Sequence, residues 1–157
     1  MVKYEGNVTI TLLINSERYS VVVRPADTLL RVVREKVGLR GTKIGCENGD
    51  CGACTLLVDG VVTKSCMVLA VEVDGAEITT IEGLKNDKLK DAFISEGGFQ
   101  CGYCTSGYLM NAEALLRRTP ELSDEEIRVW LESNLCRCTG YEGIERAVKR
   151  AAGQKTQ

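Results

Sequence analysis

Apolar and polar residues alternate from Asn7 to Ile14 and again from Glu17 to Arg24, the period of two that sets one face of a strand on a core. Asn15-Ser16 between these runs reads as a hairpin turn. Pro25-Ala26-Asp27 breaks the second run. Leu29, Leu30, Val32, Val33 and Val37 then recur at the spacing of an amphipathic helix, with Asp27 or Thr28 as N-cap and Gly38 as its end. Farther on, Thr55 to Val58 and Val61 to Lys64 flank Asp59-Gly60, a second hairpin signal. Val68 to Val73 and Ile78 to Ile81 are additional strand candidates. Two hairpins with a helix packed across one face make a β-grasp arrangement over residues 1–80.

Beyond residue 80 the period changes. Leu84 to Ser95, Tyr103 to Arg118, Ser123 to Asn134 and Gly143 to Ala152 read as helices, separated by Gly97-Gly98, Thr119-Pro120 and the loop from Cys136 to Gly140. Ser123 followed by Glu126 has the S-x-x-E form of a capping box, with Ile127, Trp130 and Leu131 on the apolar face. The fold class is therefore α+β, a β-grasp domain at 1–80 followed by a four-helix bundle at 81–157. Halves of this size are small for a self-sufficient core and commonly need a metal or another staple.

Composition narrows the choice of that staple. With net charge -2, pI about 5.4 and aromatics at 5%, the chain offers no basic, aromatic-rich surface for nucleic acid. No apolar run reaches the roughly 18 residues of a membrane span, and Met1 to Asn15 lacks the continuous apolar core of a secretory leader. The expectation is a soluble, cytoplasmic protein.

Eight cysteines and no histidine carry the chemistry. Cys46, Cys51, Cys54 and Cys66 follow C-x4-C-x2-C with a fourth cysteine after eleven further residues, the plant-type [2Fe-2S] spacing. Cys101 and Cys104 form a C-x2-C pair, and Cys136 and Cys138 a C-x-C pair after thirty-one residues. If the helices between them pack antiparallel, the two pairs adjoin. Two [2Fe-2S] centres are the most economical reading. Structural zinc is the rival, since four-thiolate sites of paired cysteines are common there. A disulfide scaffold fits a secreted chain better than this one. Against zinc stand the four-residue gap after Cys46 and the glycines crowded around both sets, among them Gly45, Gly49, Gly52, Gly102, Gly107 and Gly140, because a sulfide-bearing cluster needs many approaching backbone N-H groups.

Catalytic groups are missing. Without histidine there is neither an imidazole base nor Rieske ligation, and neither G-x-G-x-x-G nor G-x4-G-K-[ST] occurs, so the chain is expected to bind neither flavin nor nicotinamide itself. Tyr103 reads as a cover over the cysteines, Trp130 as core, and Arg137 as an offset to cluster charge. Arg117, Arg118, Lys149 and Arg150 read as solvated helix ends.

Gly45-Cys46-Glu47-Asn48-Gly49-Asp50-Cys51-Gly52-Ala53-Cys54-Thr55 resembles the ferredoxin loop of the molybdenum hydroxylases, the xanthine oxidase type. Gln100-Cys101-Gly102-Tyr103-Cys104-Thr105 and Asn134-Leu135-Cys136-Arg137-Cys138-Thr139-Gly140-Tyr141 resemble the second cluster motif of that family. The resemblance spans nearly the whole chain and implies a small iron-sulfur subunit. It implies that the helical-half cluster lies nearest molybdopterin in a large partner subunit, that the other passes electrons toward FAD in a medium subunit, and that the assembly is a dimer of heterotrimers. It also implies that Gln100 hydrogen-bonds the pterin and that the Cys138 sulfur lies against the pterin amine. Ser106 stands where many members have proline, and Ser133 where many have glycine. A free-standing two-cluster ferredoxin and a zinc-stabilised interaction module are the alternatives.

Overall fold

A computed structural model describes residues 6–118 and 122–154. The Thr119-Pro120 break and residues 1–5 of the N-terminal reading lie outside the described residues. Strands β1 (Val8–Ile14) and β2 (Glu17–Val23) pair antiparallel through the turn at Asn15-Ser16, and β3 (Thr55–Val58) and β4 (Val61–Lys64) pair through Asp59-Gly60. All four turn residues have positive φ, 51° and 72° in the first turn and 49° and 78° in the second, the twist a two-residue hairpin requires. Strand β5 (Glu77–Thr79) joins the hairpins, parallel to β1 and antiparallel to β3, giving the order β2-β1-β5-β3-β4.

Helix α1 opens as an α turn over Leu29–Arg31 and continues as a wider π-helical stretch over Val32–Val37. Thr28 is its N-cap, accepting from Arg31 N at 3.3 Å, while Asp27 turns back to accept from Arg24 N at 2.9 Å. Gly38 at φ 90° ends it, a conformation for which glycine carries no Cβ penalty. Helices α2 (Asp87–Ser95), α3 (Thr105–Arg118), α4 (Asp124–Leu131) and α5 (Glu142–Ala151) follow. Ser123 and Glu126 form the expected capping box, with Glu126 N donating to Ser123 Oγ at 3.2 Å and Ser123 N to the Glu126 carboxylate at 2.8 Å.

Alternation along β3 decides how the layers stack. Leu56 faces Ile10, Leu12, Ile14 and Ile78 of the sheet and Leu29, Val32 and Val33 of α1. Leu57, next in sequence, faces the other way, into a core made by Leu89 and Phe93 of α2, Tyr108 and Met110 of α3, Ile127 of α4 and Ile144 of α5. The sheet therefore has helices on both faces. Each fully buried leucine or isoleucine in these cores contributes about 1.5–3 kcal/mol.

Several boundaries correct the pattern reading. Of the Val68 to Val73 strand only Leu69 bridges, antiparallel to Thr28; Ala70–Val73 is instead a 3-10 turn, closed by Glu72 N donating to Leu69 O at 3.0 Å and Leu69 N donating to the Glu72 carboxylate at 2.9 Å. Ile81 leaves the sheet in another 3-10 turn, Ile81–Gly83. Helix α2 starts late because Asn86 caps it, accepting from Leu89 N at 3.0 Å. Helix α4 stops at Leu131, before the Asn134 expected as its end.

Candidate functional site

The first four cysteines sit on a loop pinned at three places. Arg31 of α1 grips the Glu47 carboxylate with two donors, each at 2.9 Å, steadying Glu47 at φ 55°. Lys64 of β4 donates to Gly49 O at 2.5 Å. Lys43 N donates to Ala53 O at 3.1 Å, closing the base. Strand β4 runs back to deliver Cys66 beside Cys54, where Ser65 Oγ holds Cys54 O at 2.7 Å.

Within this set the thiols sort into two pairs. Cys46 and Cys51 lie at the rim and exchange contacts, Cys46 N to Cys51 Sγ at 3.3 Å and Cys51 N to Cys46 Sγ at 3.3 Å. Cys54 and Cys66 are buried behind them. Burial raises the Cys46 thiol pKa, but N-H groups of Asn48, Cys51 and Asp50 outweigh it and bring the value down to about 7. Cys66 is pushed up to about 12, first by burial and then by the neighbouring Cys54.

Helix geometry assembles the second set across thirty-one intervening residues. Cys101 and Cys104 stand at the start of α3, and Cys136 and Cys138 on the loop from α4 to α5. Cys138 Sγ lies 3.5 Å from Cys101 Sγ, both exposed, while Cys104 and Cys136 lie deeper and contact each other. Burial raises the Cys136 thiol pKa, yet the Thr139 hydroxyl at 3.1 Å and the Thr139 N-H at 3.4 Å bring it below the ordinary value. Burial and Cys136 push Cys104 up to about 12. The Tyr103 N-H, with help from the Cys138 thiol, lowers Cys101.

These donor sets fit a binuclear sulfur cluster. Each offers one rim pair and one inner pair, and a [2Fe-2S] centre takes four protein ligands across two irons. Among the described residues, no three Cys, Asp or Glu side chains gather closely enough to close on one ion. N-H groups already favour the thiolate at Cys46, Cys101 and Cys136, while the Cys66 and Cys104 thiols, raised by burial, give up their protons only when a cation compensates the charge.

Other candidates fall as follows. Gln100 is exposed beside Cys101. Tyr103 is 51% exposed, and its hydroxyl donates to Ile44 O at 2.6 Å, so it ties the second cysteine loop to the first. Trp130 is partly buried against the core, donates to Asn111 O at 3.0 Å and lies under the Arg118 guanidinium at 5.6 Å. The other expected solvated cations make ion pairs, Arg117 with the buried Glu113 at 2.7 Å, Lys149 with Asp124 at 2.9 Å and Arg150 with Glu96 at 2.9 Å.

Sequence reasoning missed the joint between the two loops. Asn134 is 1% exposed and donates to Gly52 O at 2.9 Å, and Leu135 N donates to Cys51 O at 3.0 Å. A Cβ on Gly107 would stand 2.2 Å from Gly52 O. The glycines adjoining cysteines hinted at such closeness, and Asn134 stood at the head of the second cluster motif with no role assigned to it.

Residues 12–83 match the family model described as 2Fe-2S iron-sulfur cluster binding domain, and residues 80–149 match that described as [2Fe-2S] binding domain. A probable xanthine dehydrogenase subunit from Bacillus subtilis is 46% identical over 142 residues, 88% of this chain and 82% of the relative. The crystal structure of quinoline 2-oxidoreductase from Pseudomonas putida 86 superimposes with a TM-score of 0.89 at 43% identity, covering 94% of each chain. The aldehyde oxidoreductase from Desulfovibrio desulfuricans superimposes with a TM-score of 0.87 at 39% identity, covering 92% of this chain but 17% of that one. With two [2Fe-2S] domains in one small chain, the protein belongs to the family of non-catalytic iron-sulfur electron-transfer subunits of the molybdenum hydroxylases, the xanthine dehydrogenase type.

Proposed function

We propose that this chain relays single electrons from a molybdopterin centre in a large partner subunit, through its two cysteine quartets, to FAD in a medium partner subunit. In a reductase the flow reverses. The observation that carries the reading is the contrast between the two pairs of each quartet: a rim pair that reaches the surface and an inner pair set deeper in the protein. A [2Fe-2S] cluster bound at each quartet supplies reversible one-electron chemistry. Cys46, Cys51, Cys54 and Cys66 hold one, and Cys101, Cys104, Cys136 and Cys138 the other.

The protein's own groups set the conditions. N-H donors from Asn48, Cys51 and Thr139 offset negative charge on the sulfurs, the means by which a protein tunes such a centre. Gln100 and Cys138 stand at the surface edge of the second quartet and face the pterin. Phe99, Leu135 and Tyr141, 40%, 53% and 39% exposed, flank that quartet in sequence, and such apolar exposure suits docking by a larger chain. The fold divides into a β-grasp domain, 1–80, and a four-helix bundle, 81–157, in a cytoplasmic dimer of heterotrimers. Among the described residues no helix is long and apolar enough to cross a membrane.

Iron, acid-labile sulfide and zinc per chain, with electron paramagnetic resonance after dithionite reduction, test this reading. About four irons, four sulfides and two signals support it. Zinc without sulfide overturns it in favour of a structural module. Co-purification of the native complex with molybdopterin and FAD chains separates a built-in subunit from a free-standing ferredoxin.

A further inference from the structure

The two quartets meet at a small, fully bonded joint. Asn134 donates through Nδ2 to Gly52 O at 2.9 Å, and its Oδ1 accepts from Asn111 Nδ2 and Ser133 Oγ, each at 2.9 Å. Its own carbonyl accepts the Tyr108 hydroxyl at 2.6 Å, and its N-H donates to Leu131 O at 3.0 Å. Gly52 O is also held by Thr55 N at 3.1 Å and Thr55 Oγ1 at 2.7 Å. One residue farther on, Leu135 N donates to Cys51 O at 3.0 Å, and Leu135 is peptide-bonded to Cys136. One hydrogen bond and one residue therefore join a cysteine of the first quartet to a cysteine of the second.

Packing leaves this joint no slack. A Cβ on Gly52 would lie 2.4 Å from Asn134 Nδ2, and one on Gly107 would lie 2.2 Å from Gly52 O. Gly52 adopts φ 67°, which favours glycine independently of the contact. A buried polar group that loses its partner is costly, so a fully satisfied network of this kind holds one arrangement.

Resting on the reading of two redox centres, we propose that Asn134 is a positioning residue: it locks the Cys51 to Cys54 loop onto the segment entering Cys136, and so fixes the separation and coupling of the two centres. With a cluster held at each quartet, one electron would pass between the irons of the two, one centre being oxidised as the other is reduced. No bond forms or breaks and no proton is taken up. Asn134 touches neither centre and acts through Gly52 and through the Leu135 to Cys51 hydrogen bond beside it.

The experiment uses the iron-loaded chain. In Asn134→Asp the side chain keeps its size, but an acceptor replaces the donor that faces Gly52 O. Iron per chain, the magnetic splitting between the two dithionite-reduced centres, and the rate of electron equilibration after pulsed reduction are measured together. The expected result is full iron and both signals, with loss of the resolved splitting and slower equilibration. Gly107→Ala, which drives a methyl against Gly52 O, gives the same losses and serves if Asn134→Asp does not load. Val22→Ala, at an exposed position of β2 away from both quartets, leaves splitting and rate unchanged. Loaded Asn134→Asp and Gly107→Ala chains with wild-type splitting and rate overturn the proposal. Absence of iron from the wild-type chain instead overturns the two-centre reading beneath it.

Discussion

Gly107→Ala tests the joint by its sign as well as its size. In an ordinary helix interior this substitution stabilises by up to about 1 kcal/mol, because alanine is the better helix former. Here the new methyl would stand 2.2 Å from Gly52 O, 3.0 Å from Asn134 Nδ2 and 3.1 Å from Gly52 C. Carbon contacts settle near 3.5–4.0 Å, so the Gly52 peptide must retreat by about 1 Å or more. That retreat breaks its 2.9 Å bond from Asn134 Nδ2. Overpacking costs about 1–3 kcal/mol, and a buried donor left unpaired costs about another 1–3 kcal/mol. After the helix gain is set against these, the net destabilisation is about 3 kcal/mol, a fall in Tm of roughly 6–12 °C for a chain of this size. Circular dichroism melts of the anaerobic, iron-loaded protein measure it, with Val22→Ala, at an exposed position of β2, as the control. A Gly107→Ala melt at or above the wild-type temperature would refute the close-approach argument.

Four other outcomes follow from the geometry. Cys136→Ser lowers iron from about four to about two per chain and removes one of two paramagnetic signals, whereas loss of both signals would contradict two independent quartets. Ser123→Ala removes the α4 cap and costs about 0.5–2 kcal/mol, read by urea unfolding, with iron content unchanged. Arg31→Ala breaks the grip on Glu47, but Arg31 is 45% exposed and Glu47 38%, so solvent screens the pair and the urea midpoint scarcely moves; a marked fall in that midpoint would show that the loop depends on the pair. Asp27 is held below its ordinary 3.8 chiefly by the Arg24 N-H, against the opposing effect of burial, and then by the Arg24 guanidinium and Lys36. Its folded pKa is depressed, so its contribution is present above about pH 4 and is lost as pH falls through the folded value. Asp27→Asn should flatten that acid limb in unfolding measured from pH 5 downward, and an unchanged limb would show that other carboxylates govern it.

Local chemistry made much of this protein legible in its residues. Asn15-Ser16 and Asp59-Gly60 announce hairpins because few residue pairs tolerate two successive positive φ values. Ser123 and Glu126 announce a helix start because both satisfy N-H groups within one turn. The C-x4-C-x2-C spacing of Cys46, Cys51 and Cys54 announces a cluster loop because a loop must place several thiolates and N-H groups around one anionic cluster. Each of these signals is short-range, and each resides in a few neighbouring side chains.

Tertiary structure alone decided the rest. The apolar run from Val68 to Val73 carries a strand's composition, yet past a single bridge at Leu69 the Glu72 N-H and carboxylate both turn back on Leu69 and coil it into a 3-10 turn. That Leu56 and Leu57 serve different cores follows from β3 lying in the sheet with helices on both sides. The pairing of Cys101 with Cys138 and of Cys104 with Cys136 depends on where the start of α3 meets the loop after α4. Asn134 shows the limit most clearly: an asparagine past a helix end is ordinary in sequence, and it became a joint because Gly52, eighty-two positions away, lacks the Cβ that would have kept it out. Sequence determines which groups have to be satisfied locally; close packing between distant segments determines which of them satisfy one another.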